Sequence, residues 1–126
     1  MGKATPDAVL DATLNDIAEA DTLYVCSAEP ADFAGIASVA LADVALTPGD
    51  GNGDFTIADG DSSGRKLTVG AQSDFDVDAT GDGDHIVLAD ASGTTLKYVT
   101  TCASQTVTDG NTASTSAWDI EIADPA

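Results

Sequence analysis

Positive charge is scarce: four cations, Lys3, Arg65, Lys66 and Lys97, stand against 22 acidic residues in 126, a formal net charge of −18. So few cations cannot form a counterion-releasing patch, and the surplus acid repels phosphate, which excludes direct nucleic-acid binding. Histidine occurs once, at His85, and there is no Gly-x-Ser-x-Gly elbow. His85 opens an apolar run and reads as a packed or edge residue, since a general base needs a triad partner. Cys26 and Cys102 have no basic neighbour to lower a thiol pKa and no C-x-x-C spacing, so thiol catalysis and zinc find no support. The expectation is a protein with no catalytic residue and no cofactor. No apolar run approaches the roughly 18–20 residues of a membrane span, and the first residues lack the basic-then-apolar pattern of an export signal. One Trp, two Tyr and three Phe are too few for sugar-stacking clusters.

What is present is enough for one core. Hydrophobic residues make up 43% of the chain, and a chain of this length buries roughly two-thirds of its unfolded surface. The acids are mostly Asp, with Glu only at Glu19, Glu29 and Glu121. Asp favours turns and caps, so the bias predicts a loop-rich β protein. Surface acid also keeps a protein hydrated in high salt, which fits a saline setting.

A single domain spanning 1–126 is expected, with an arm over 1–4, a helix over about 6–20 and a β-domain over about 22–126. Thr5 suits a cap, Pro6 the first helical position and Asp7 the positive end of the dipole. Leu10, Leu14 and Ile17, with Val9 alongside, form an apolar stripe opposite Asp11, Asn15, Asp16 and Glu19. The stripe packs on the chain's own sheet or serves as an anchor for a partner. After Asp21 come short strands separated by Gly/Asp turns: Leu23 to Cys26, Phe55 to Ile57, Leu67 to Val69, Phe75 to Val77, His85 to Ala89, Leu96 to Thr101, Gln105 to Thr108, and Trp118 to Ile122. Val39 to Leu46 is ambiguous in period. Turns are placed at 49–54, 59–64, 81–84, 90–93 and 109–111. The fold class is mainly β, an antiparallel sandwich or barrel-like domain with one N-terminal amphipathic helix.

Several positions have both a structural and a functional reading. Cys26 and Cys102 lie in similar contexts and are expected as two buried thiols, with a disulfide as the alternative if their strands adjoin. Asp50, Asn52 and Asp54 have the 1-3-5 spacing of a calcium loop, with Asp61 at position 12. Against calcium, Phe55 holds the position that needs glycine and no helices flank the loop, which otherwise reads as a hairpin tip. Asp74, Asp76 and Asp78 project from one strand face, followed by Asp82 and Asp84. They form a solvated face, a weak cation site, or a contact for a basic partner. Arg65-Lys66 reads as an intramolecular ion pair or as a docking contact.

Five stretches, Ala4 to Asp11, Phe55 to Val69, His85 to Leu88, Tyr98 to Thr101, and Ala117 to Ile122, resemble a group of small proteins encoded among tailed-phage head genes. The chain is similar to head decoration, or cement, proteins. The resemblance implies a virion protein on the outer surface of the capsid, bound to the major capsid protein as a homo-oligomer, often a trimer at local three-fold positions. There it would clamp capsomers against internal DNA pressure. Residues 50–53 read as an insertion relative to that group. The partner-contact candidates are Lys3, Arg65 and Lys66, and the arm 1–4 is a candidate for adding to a neighbouring chain. A phage head fibre, spike or surface adhesin, and a calcium-binding β module, are the alternatives.

Overall fold

The computed structural model describes residues 5–123. Lys3, the arm 1–4 and the last three residues lie outside them. The elements are α1 (Asp7–Ile17), β1 (Thr22–Cys26), α2 (Ile36–Val39), β2 (Ala40–Ala45), β3 (Phe55–Asp59), β4 (Arg65–Val69), β5 (Gln72–Asp76), β6 (Gly81–Asp90), β7 (Thr95–Val107), β8 (Thr112–Thr115) and β9 (Trp118–Ile122). Every pairing is antiparallel. A four-stranded sheet β2-β1-β6-β7 faces a three-stranded sheet β3-β4-β9, and β5-β8 forms a third piece joined to β2 by the Ala42–Val77 bridge. The architecture is the expected mainly β one, sandwich-like and not a closed barrel.

The helix is shorter than its pattern predicts. Pro6, not Thr5, is the N-cap residue and no side chain caps the helix, while the N–H groups of Val9 and Leu10 bond the Pro6 carbonyl. At the other end the turns tighten: Glu19 N–H reaches the Asp16 carbonyl and Ala20 N–H the Ile17 carbonyl, three-residue steps that close the helix early. Leu10 and Leu14 are buried as the stripe predicts, but Val9 is 55% exposed.

The main core lies between the sheets and under α1. Leu14 and Ala18 meet Leu23 and Val25 of β1, Phe55, Leu67 and Val69 of the β3–β4 hairpin, Leu88 of β6 and Ile120 of β9. In β9 the alternation holds, with Ile120 buried between exposed Asp119 and Glu121. Residues 86–89 of β6 are all buried because that sheet is apolar on both faces: its outer side packs Cys26, Val87 and Ala89 under Ile36 of α2. The ambiguous segment at 39–46 resolves as the end of α2 followed by β2.

The turn expected at 81–84 is a strand, and the two strands read at 96–101 and 105–108 are one, β7. The glycines explain the first correction. A Cβ on Gly83 would stand 2.5 Å from Val25 Cγ1 and one on Gly81 3.0 Å from Leu41 Cδ2, so these glycines let β6 pass close over its neighbours.

Candidate functional site

Each cation among the described residues spans two carboxylates. Arg65 Nε bonds Asp11 Oδ1 of α1 at 2.8 Å and its Nη1 bonds Asp59 Oδ1 of β3 at 2.6 Å. Lys66 Nζ lies 2.8 Å from Asp61 and 3.8 Å from Asp119. Lys97 Nζ lies 2.6 Å from Asp16 and 3.2 Å from Glu19. The bond it donates to Asp11, then that to Asp59, holds the Arg65 guanidinium above its ordinary pKa, and the bond to Asp61 does the same for Lys66. Arg65 therefore fastens α1 to the β3–β4 hairpin, while Lys97 fastens its last turn to β7. The intramolecular reading of Arg65-Lys66 describes their contacts, and a docking partner would compete with four carboxylates for them.

The calcium-like loop is organised by its own backbone. Asp50 Oδ1 accepts the Ile57 N–H at 2.9 Å, and Asp54 accepts the Thr47 N–H at 2.7 Å and the Gln72 amide at 2.9 Å. Asn52 donates to the Pro48 carbonyl at 2.6 Å, and Asp61 belongs to Lys66. Asp50, Asn52, Asp54 and Asp61 are not brought together as a ligand set. Among the described residues no three His, Cys, Asp or Glu side chains converge in a way that holds a metal.

Asp74, Asp76 and Asp78 are exposed, alternating with buried Phe75 and Val77. They do not form a regular row, because Asp74 takes a left-handed φ of 55° and the β5–β8 register slips between Gln72 and Phe75. Asp78 instead faces Asp43 of β2. Burial, then the charge of Asp78, holds the Asp43 carboxyl above its ordinary pKa.

The cysteines are free and differ in exposure: Cys26 is buried, whereas Cys102, expected to be buried too, is exposed. Cys26 pairs in register with His85, and His85 with Thr101, which puts Cys102 on the opposite face of the sheet from Cys26. Burial pushes the Cys26 thiol up to about 11, the reverse of what a nucleophile needs. His85 is largely covered, its Nδ1 2.6 Å from Asp84 Oδ1.

Two features escaped the sequence reading. Asp21, between α1 and β1, accepts the Ala91 N–H at 2.8 Å and the Ser92 hydroxyl at 2.8 Å, locking the β6–β7 turn. Burial alone would raise its pKa, but these bonds, with those from Thr22 and the Ser92 N–H, outweigh it and bring the carboxyl down to about 2. The second is a slot of about 400 Å³ between β7 and β8, lined among others by Val25, Ile86, Cys102, Ser114 and Trp118. Tyr98 stacks on Trp118 beside it, ring centroids 6.0 Å apart. The one signal for the slot in the sequence is the absence of charge from Tyr98 to Thr108 and from Gly110 to Trp118.

No protein-family model matches the chain, and neither a curated protein nor a solved structure matches it. No helix among the described residues is long and apolar enough to cross a membrane.

Proposed function

We propose that this protein is a tailed-phage capsid decoration protein, which binds the major capsid protein on the outer surface of the head and stabilises contacts between capsomers, as a homo-oligomer for which a trimer is expected. One observation carries the reading: the sequence stretches that resemble decoration proteins are neighbours in space. Asp11 of the first stretch and Asp59 and Arg65 of the second form a single ion-pair cluster. The β4 strand of the second pairs along its length with β9 of the last, Leu67 opposite Ile120. Three of the five stretches thus fall on one side of the fold, built from α1 and the β3-β4-β9 sheet, and the other two, His85 to Leu88 and Tyr98 to Thr101, pair with each other on the β6–β7 ladder of the facing sheet. Charge supports the same reading. With the described cations tied to carboxylates, the surplus acid keeps free copies apart in solution and favours a complementary, basic docking surface.

The test is sedimentation of the purified protein with and without isolated expanded phage capsids. Saturable co-sedimentation at a stoichiometry matching a symmetry position of the shell is the expected result. A protein that stays in the supernatant at every ratio refutes the proposal.

A further inference from the structure

β7 ends the four-stranded sheet and β8 ends the β5–β8 pair, so among the described residues each has an edge with no strand beside it. The two strands leave a common turn, closed by the Asn111 N–H to Thr108 carbonyl bond at 3.0 Å, yet pair away from each other, β7 with β6 and β8 with β5. The slot opens between these arms, over Val25 and Ile86 of the main sheet. Two of its lining residues, Thr115 and Trp118, hold a side-chain atom, Oγ1 and Nε1, that is shielded from water and has no hydrogen-bond partner among the described residues. Leaving such groups unsatisfied is costly, and an occupant with backbone donors and acceptors would relieve it once either side chain turns into the slot.

Apart from a bulge at residues 102–104, where two steps of β6 span four of β7, the edge is unguarded. Soluble proteins blunt exposed strand edges with charge, proline or bulges. Here, in a chain that is 21% charged, both walls are free of charge and of proline, and residues 101–106 of β7 are exposed. The rim, by contrast, is acidic: Asp82 bonds Thr106 Oγ1 at 2.8 Å, and Asp84, after burial, contributes to raising the Cys102 thiol. A second copy of this chain would bring its own acidic rim against this one, which like-charge repulsion disfavours.

We propose that the slot receives an extended segment of another protein, free of acidic residues and flanked by basic ones, which adds as a strand to the β7 edge. Its inward side chains cover Val25 and Ile86, its backbone satisfies Trp118 Nε1 and Thr115 Oγ1, and the cation at one of its ends meets Asp82 and Asp84. This goes beyond the capsid reading and holds for any protein partner.

The probes are acetylated, amidated heptapeptides with a lysine at each end and a core alternating threonine with one apolar residue, either alanine, valine, leucine or phenylalanine. Controls carry glutamate for lysine, or proline at alternate core positions. Trp118 is the only tryptophan, so its emission reports filling of the slot, and amide hydrogen exchange read residue by residue reports strand addition. At least one lysine-flanked peptide is expected to shift Trp118 emission and slow exchange within residues 100–107 by about tenfold or more. The glutamate peptide should bind several-fold more weakly and the proline peptide not at all. Because Cys102 is exposed and Cys26 buried, alkylating the folded protein with a bulky maleimide blocks the slot without mutation, and is expected to abolish the response. The proposal is overturned if no lysine-flanked peptide changes exchange at millimolar concentration or if the proline peptide protects equally. Protection that rises with protein concentration in the absence of peptide, which would give the slot to a second copy, overturns it too.

Discussion

Replacing Asp21 tests whether one carboxylate locks the β6–β7 turn to the start of β1. Its oxygens accept the Ala91 N–H, the Ser92 N–H and hydroxyl, and the Thr22 hydroxyl. A carboxyl moved from 3.8 to about 2 carries at most about 2.4 kcal/mol of pH-dependent stability. Solvent reaches this side chain and screens it, so about 1 kcal/mol is the working figure for Asp21→Asn at pH 7. Asp21→Ala, which removes every acceptor, costs about 2 kcal/mol. At roughly 2.1 cal/mol/K of unfolding entropy per residue, 126 residues give about 4 °C of Tm per kcal/mol, hence drops of about 4 and 8 °C. The folded pKa lies below the unfolded one, so the unfolded chain binds more protons between them. The stabilisation is complete above about pH 4 and disappears as the pH falls to about 2. Thermal melts by circular dichroism from pH 7 to pH 2 on wild type and Asp21→Asn read this directly, since the other carboxylates cancel in the difference. A gap that stays constant to pH 2, or is absent at pH 7, refutes the reasoning.

Gly64→Ala is expected to cost about 2–3 kcal/mol in urea unfolding, because φ is +70° and the new Cβ would fall 1.9 Å from the Ile122 carbonyl oxygen. Gly51→Ala, at φ +86° in open space, isolates the backbone part of that cost, about 1 kcal/mol. Thr94, a β-branched residue held at φ 54° in the β6–β7 turn, is strained, and Thr94→Gly is expected to raise stability by up to about 1 kcal/mol in the same assay. Asp43→Asn removes a repulsion with Asp78 and is expected to raise Tm at pH 7, by about 0.2–1 kcal/mol worth of stability. Wild-type Asp43, with its folded pKa raised, takes up a proton as the pH falls, so this gain should shrink in acid; a gain independent of pH would refute the pairing.

The parts of the fold that could be read from the sequence are those where one face is wet. Trp118 to Ile122 and Phe55 to Ile57 alternate because the β3-β4-β9 sheet is covered on one side only, and α1 shows its stripe for the same reason. Residues 86–89 carry no such signal, since packing under Ile36 makes both faces apolar. Gly81 and Gly83 misled in the opposite direction: glycine beside Asp has the composition of a turn, but here the missing Cβ serves close strand packing. Long-range pairs such as Asp21 with Ala91, or Asp43 with Asp78, leave no local pattern. The ion pairs of Arg65 and Lys66 were legible because Asp59 and Asp61 lie close in sequence. Asp11, 54 positions away, was not.

The distribution of charge separates two tasks that a docking surface must perform. Arg65, Lys66 and Lys97 are committed to holding α1 and the strand ends together, so their charge is largely neutralised where it stands. The remaining acid is unopposed, and across a solution it attracts a basic partner in a way that salt screens. The β7 edge and the slot, with no charge on their walls, contribute almost nothing to that attraction, but in the proposed strand addition backbone pairing there would fix register and orientation at short range. On the proposed readings, added salt therefore slows association with a basic partner much more than it speeds dissociation. A substitution that introduces charge at the slot, such as Ser114→Lys, would act chiefly on dissociation. Stopped-flow association and chase-dissociation rates across a salt series would resolve the two, and a dissociation rate that rises with salt as steeply as association falls would assign both tasks to the same charged surface.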